Sequence, residues 1–201
     1  MNIDLVIVFC KNSIIGKVKT RLAKSIGISK ALKTHNILLD KTFSVLKLLD
    51  YDIAVFYSDF IPKHINWTFS KYHNIQNGNS LGDRMKEAFR WGFKMGYENI
   101  CIIGSDLWSI EKKIFNEAFY ALKNNDIVFG PSSDGGYYLL ALKKKTDAIF
   151  EINSWGTDKV LKDTLRKIDL NDTIFYLPEL NDIDTIEDLS KHNDLKSLIE
   201  I

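Results

Sequence analysis

The stretch KNSIIGKVKTRLA, Lys11 to Ala23, gathers four cations, Lys11, Lys17, Lys19 and Arg21, around Gly16. Positions 17, 19 and 21 alternate, so an extended or turning loop could aim several charges at one diphosphate or triphosphate. Arginine offers a bidentate fork, lysine a point charge, and the glycine lets backbone approach an oxygen. The glycine spacing is not that of a P-loop, and no GxGxxG occurs. A solvated basic loop accounts for the same residues equally well.

Carboxylates form the second set. Gly104-Ser105-Asp106 ends an apolar run with an acid that could hold a hard divalent cation or cap the following helix. In GPSSDGGYY, Gly135 and Gly136 suit a tight turn beside Asp134. They would also let backbone approach a sugar, with Asp134 accepting a hydroxyl proton or positioning an acceptor. NDIDTIE contains a DxD. Asp184 with Glu187 reads as a helix capping box, which leaves Asp182 as the better second metal ligand. SLGDRM places Gly82 and Arg84 at a helix start, where anions collect. Trp155, in WGTD, could floor a sugar or base, or simply staple a helix.

These loops need elements to hold them. Leu5–Phe9, Asp52–Ser58, Asn99–Gly104 and Asp126–Gly130 are apolar, strand-length runs. Helices are expected from Ser29 to Leu49, Leu81 to Met95, and Ile110 to Leu122. His35 falls on the apolar stripe of the first and reads as a core histidine. Gly136–Leu142 follows its predecessor too closely for a crossover, so it should run antiparallel, as an edge or hairpin. Trp155–Ile168 reads as helix, Thr173–Leu177 as strand and Asp184–His192 as a short capped helix. The pattern is an α/β sheet, mostly parallel with a mixed edge, whose ligands belong at the carboxyl ends of its strands.

Composition bounds the rest. A chain of 201 residues, 45% hydrophobic, can bury one good core, and no linker or repeat divides it, so one domain over 1–201 is expected. The net charge of +1 argues against a protein that holds nucleic acid through many phosphates. Cys10 and Cys101 lie in apolar runs and read as reduced core thiols. The first apolar run is too short and wrongly flanked for a signal peptide or membrane span, so a cytoplasmic protein with no membrane partner is expected.

KNSIIGKVKTRLA, GNSLGDRM, IIGSD, FGPSSDGGYYLLAL, WGTDKVL and LPELNDIDTIEDL, in this order, resemble a bacterial GT-A-like family of the nucleotide-diphospho-sugar transferase superfamily. That family has been linked to arsenosugar-type glycosyl transfer and is related to the phospholactate guanylyltransferases. The resemblance implies a single GT-A-like α/β/α sandwich around a mostly parallel mixed sheet. It also implies Lys17, Lys19 and Arg21 on phosphates, and Mg²⁺ or Mn²⁺ on Asp106 with Asp182 nearby. Lys11, Gly16, Gly82, Arg84, Ser105, Gly135, Gly136 and Trp155 complete the expected nucleotide or sugar contacts, and Asp106 and Asp134 are the expected catalytic groups. The expected activity is transfer from a nucleotide-diphospho-sugar to a small-molecule acceptor. A nucleotidyltransferase joining an NTP to a phosphorylated small molecule, and a non-catalytic nucleotide-sugar binder, are the alternatives.

Overall fold

Alternation explains why the apolar runs become strands. In β1 (Asp4–Cys10), Val6, Val8 and Cys10 enter one hydrophobic layer while Leu5 and Ile7 enter the opposite one. The same period of two divides β2 (Asp52–Tyr57), β4 (Asn99–Ile103) and β6 (Tyr137–Leu142), so each is buried on both sides. A fully buried Leu, Ile or Phe contributes roughly 1.5–3 kcal/mol. The remaining strands are β3 (Tyr72–Ile75), β5 (Ile127–Pro131) and β7 (Ile174–Tyr176).

The computed structural model describes residues 3–63 and 67–200. Their helices are α1 (Thr20–Ile26), α2 (Ile28–Leu46), α3 (Leu81–Lys94), α4 (Lys112–Leu122), α5 (Val160–Leu165), α6 (Ile186–Ser190) and α7 (Asn193–Ile199), with one 3₁₀ turn at Ala148–Phe150. Helices α2 and α4 cover one face of the sheet; α3, the 3₁₀ turn and α5 cover the other. A satellite core formed by Leu22, Leu38, Ile183, Leu189, Leu195 and Ile199 joins α1, α2, α6 and α7 at one flank. None of the helices among the described residues is long and apolar enough to cross a membrane.

The strand order is β3-β2-β1-β4-β6-β5-β7. Every pairing is parallel except those of β6, which is antiparallel to both β4 and β5. The expected α/β sandwich with a mostly parallel mixed sheet is therefore observed. The β5–β6 hairpin is present too, but the expected mixed edge is corrected: β6 lies inside the sheet. From β1 the chain proceeds outward to β2 and β3, then returns to β4 on the other side of β1. This reversal opens a crevice at the carboxyl ends of β1 and β4.

Local boundaries depart from the sequence reading in several places. The basic stretch is a loop only as far as Lys19, because Thr20 begins α1. The helix expected over Trp155–Ile168 is limited to α5, since Gly156 has a φ of 80° and starts a turn. The expected Asp184–Glu187 capping box is instead made by Thr185 and Asp188, each side chain accepting from the other's backbone N–H. Asp184 is thereby released for other work.

Candidate functional site

Three segments meet at the crevice. The loop after β1 carries Lys11 to Lys19, and the loop after β4 carries Asp106. The stretch before α6 is stitched to the second of these by an antiparallel bridge between Leu107 and Asp182 and by Ile183 N–H donating to the Asp106 carbonyl at 3.0 Å. A bridge between Ser132 and Leu180 ties the same stretch to the end of β5. Backbone pairing thus brings Asp106, from the middle of the sequence, together with Asp182 and Asp184 from its last part.

Lys19 lies beneath them. It caps α1 in the left-handed conformation, φ 47° and ψ 44°, which costs a non-glycine residue about 1–2 kcal/mol. Its side chain is only 3% exposed, with Nζ 2.6 Å from Asp106 Oδ1 and 3.0 Å from Asp184 Oδ1. Burial opposes the charge on this lysine, but Asp106 and Asp184 more than offset it and hold its pKa above the ordinary value. Burial likewise works against ionised Asp184, yet Lys19, together with Arg21 at 2.5 Å, keeps its carboxyl below the usual range. Asp182 has the opposite fate. Burial, then repulsion from Asp106, pushes it up to about 7, with Lys19 opposing them only in part.

Beyond this cluster opens a cleft of about 690 Å³. Phe9, Met85, Tyr137 and Trp155 form its apolar wall. Its charged lining is acidic: Asp106, Asp134, Asp158, Asp182 and Asp184 against Lys11 and Arg21. Close packing shapes the wall. A Cβ on Gly82 would lie 2.5 Å from Trp155 Nε1 and 2.7 Å from the Phe150 carbonyl. Gly135, with φ 86°, leaves room for the Asp158 carbonyl, which an added Cβ would strike, and its own carbonyl accepts from Leu161 N–H at 3.0 Å. Asp134 Oδ1 accepts from Gly136 N–H at 3.0 Å and from the Ser132 hydroxyl, so this loop is a tight turn that also lines the cleft. A polar recess of about 180 Å³ adjoins it, lined by Lys11, Lys19, Arg21, His35, Asp106 and Asp184.

Of the residues singled out from sequence, Lys11, Arg21, Asp106, Asp134, Gly136, Trp155 and Asp182 line the cleft, and Lys19 lines the recess. Others stand elsewhere. Lys17 and Gly16 are exposed on the turn before α1, so the expected row of cations at 17, 19 and 21 is not aimed together. Arg84 spends its donors on the Gly78 carbonyl, at 3.1 Å, and on Gln76 Oε1, at 3.4 Å, holding the β3–α3 loop. Ser105 is buried, and Gly82 and Gly135 act behind the wall by leaving room for it. His35 is the expected core histidine: it is buried, donates from Nε2 to the Lys11 carbonyl at 3.2 Å, and steadies the basic loop. Cys10 and Cys101 are buried and free, burial pushing the Cys10 thiol up to about 12. Sequence reasoning missed several residues that line the cleft, among them Phe9, Met85, Tyr137, Asp158 and, in the charged cluster, Asp184. For Asp184 the signal was present: Thr185-Ile186-Glu187-Asp188 is itself a capping box one position further on.

The donor set suits a hard divalent ion. Asp106 and Asp182 both line the cleft, and the charge of Lys19 offsets the burial of the latter only in part. No cluster of three or more potential ligands exists among the described residues. Mg²⁺ commonly uses one or two carboxylates, taking its remaining oxygens from water and substrate phosphates.

Sheet order and crevice define an α/β protein with the fold of the nucleotide-diphospho-sugar transferases. A Desulfovibrio desulfuricans G20 protein described as a candidate nucleotide-diphospho-sugar transferase superposes with a TM-score of 0.88 at 27% identity, over 100% of this chain and 95% of that one. The 4-diphosphocytidyl-2C-methyl-D-erythritol synthase of Anaerococcus prevotii gives 0.58 at 10% identity, covering 99% and 97%. A cytidylyltransferase from Leptospira borgpetersenii gives 0.54 at 13%, covering 100% and 93%. The chain belongs to the family described as "Uncharacterized protein conserved in bacteria (DUF2064)", whose model matches residues 42–157. That span contains Asp106, Asp134 and Trp155. No curated protein matches the sequence.

Proposed function

We propose that this protein is a metal-dependent transferase that takes a nucleotide-diphospho-sugar donor and passes its sugar to a small-molecule acceptor. The carrying observation is the pair Asp106 and Asp182 at the mouth of a largely acidic cleft. Such a lining repels a bare diphosphate and accepts one accompanied by a divalent cation. Asp106 and Asp182 would hold Mg²⁺ or Mn²⁺, which supplies charge stabilisation to a departing diphosphate. Lys11 and Arg21 lie where phosphate oxygens would be neutralised. Trp155 and Tyr137 offer aromatic faces to the apolar side of a sugar ring. Asp134, one oxygen fixed by the Gly136 N–H and Ser132 hydroxyl, would accept the acceptor's hydroxyl proton with the other. The similarity to the Desulfovibrio protein supports the donor class. An arsenosugar-type acceptor, implied by the sequence resemblance, is one candidate among small molecules. The chain is expected to act in the cytoplasm.

A second reading, nucleotidyl transfer with release of pyrophosphate, draws support from the recess beside the cleft, where Lys11, Lys19 and Arg21 border room for a further phosphate. Thermal shift distinguishes the two. UDP-, GDP-, ADP- and dTDP-sugars are compared with the four NTPs, each with Mn²⁺, Mg²⁺ or EDTA. A ligand at about 100 times its Kd adds ~2.7 kcal/mol, a rise of roughly 5–10 °C for a chain of this length. A metal-dependent shift with a nucleotide sugar is expected; a shift confined to a triphosphate would promote the second reading. Asp106→Asn should lower turnover by at least about a hundredfold. An active Asp106→Asn protein would overturn the assignment, and no shift with any ligand would return the protein to a role outside nucleotide chemistry.

A further inference from the structure

The Lys19 ammonium occupies the place where a metal's charge would be felt most. It touches Asp106, the first expected ligand, at 2.6 Å, and Asp184 at 3.0 Å. It has no easy exit, since its side chain is 3% exposed and its backbone is fixed at the head of α1. A divalent ion arriving alone at Asp106 must share that carboxylate with a buried cation already on it, and like charges in a poorly solvated site repel strongly. An anion arriving alone meets Lys11 and Arg21, but they are outnumbered by Asp106, Asp134, Asp158, Asp182 and Asp184 in the same lining. Each ligand is therefore disfavoured by what the other would neutralise.

We propose that Lys19 is a built-in counter-cation that makes metal and phosphate bind as a unit: the divalent ion alone binds weakly, and phosphate oxygens, by neutralising both it and Lys19, bind it tightly. The inference rests on the transferase reading above and deepens it, giving Lys19 a positioning role in addition to contact with phosphate. Coupling of this kind is reciprocal, so the metal strengthens phosphate binding by the same factor, typically about 5–150-fold. The order of events follows: the metal–nucleotide complex enters, and free metal does not load the site in advance.

The test measures Mn²⁺ binding to the full chain by the loss of the free-ion electron paramagnetic resonance signal. Wild type, Lys19→Met, Lys19→Gln and Lys19→Arg are compared, with and without inorganic pyrophosphate, against pyrophosphate–Mn²⁺ controls lacking protein. Both neutral variants should bind Mn²⁺ alone at least about fivefold more tightly than wild type. Pyrophosphate should improve their Mn²⁺ affinity less than it improves that of wild type. Lys19→Arg, which keeps the charge, should behave as wild type. Circular dichroism establishes that each variant is folded, and the glutamine variant serves if the methionine variant is not. Unchanged or weaker metal-alone binding in the folded neutral variants would overturn the proposal, reducing Lys19 to a structural tether while leaving the transferase reading intact. If wild type binds neither Mn²⁺ nor its pyrophosphate complex, the transferase reading falls, and the coupling with it.

Discussion

The two sides of the cleft are held by different physics. On one, Lys19, Arg21, Asp106 and Asp184 form a charged knot, long in reach and set by burial. On the other, Gly82 against Trp155 and Gly135 against Asp158 form a wall whose shape depends on missing Cβ atoms. A charged knot tolerates small shifts but responds to pH, salt and bound ions; a packed wall is indifferent to these and intolerant of a single methyl group. On the function proposed above, recognition of a phosphate partner and of a sugar face would fall to regions with opposite sensitivities.

That contrast can be broken or sharpened by substitution. The largest loss is expected for Lys19→Met, which leaves Asp106 and Asp184 facing one another without their shared cation: about 3–5 kcal/mol by denaturant titration at pH 7. Gly135→Ala comes next, at roughly 2–4 kcal/mol, combining left-handed strain with a collision against the Asp158 carbonyl. Its loss should be the same in low and high salt, and a strong salt dependence would contradict a steric wall.

Asp182→Asn reverses the sign. The native carboxyl titrates near 7 against ~3.9 in the unfolded chain, so between these values the folded state holds the extra proton. Wild type therefore loses stability as pH rises through about 4–7, and the loss is complete above 7. In EDTA at pH 8 the asparagine variant should be more stable by about 1–3 kcal/mol, with the gain vanishing by pH 4; a constant gain at all pH values would exclude charge as the cause. The smallest effect is expected for Arg21→Ala. Its side chain is 63% exposed, so the pair with Asp184 contributes at most about 1 kcal/mol, fading in salt.

Much of this architecture was legible because buried strands and amphipathic helices write themselves as periodic apolar residues. β1, β2, β4 and β5 were read within a few residues of their ends, as were α3 and α4. What escaped was short or half-exposed. β3 is four residues at the sheet margin with no alternation to betray it. α7 is stated only by Leu195 and Ile199, one helical turn apart. α1 starts at a lysine with positive φ and no side-chain cap, so no starting signal preceded it. The interior position of β6 depends on pairing partners far away in sequence, which composition cannot specify. In the site, acids at strand ends were recognisable as chemistry. The pairing of Lys19 with Asp184 across 165 positions was not, because two overlapping capping boxes compete and only tertiary packing decides between them.

The placement of β6 also bears on how the chain reaches this state during synthesis. β3, β2, β1 and β4 are all made before residue 104, yet β4's outer edge has no partner until β6 is complete at Leu142. β5 appears earlier than β6 but pairs with it and with β7, never with β4. An unfinished chain therefore displays an apolar half-sheet with an open row of backbone donors and acceptors, the kind of edge that recruits other chains. Slower synthesis through residues 104–142 would lengthen that exposure, and whatever shields β4 in the interval would shorten it.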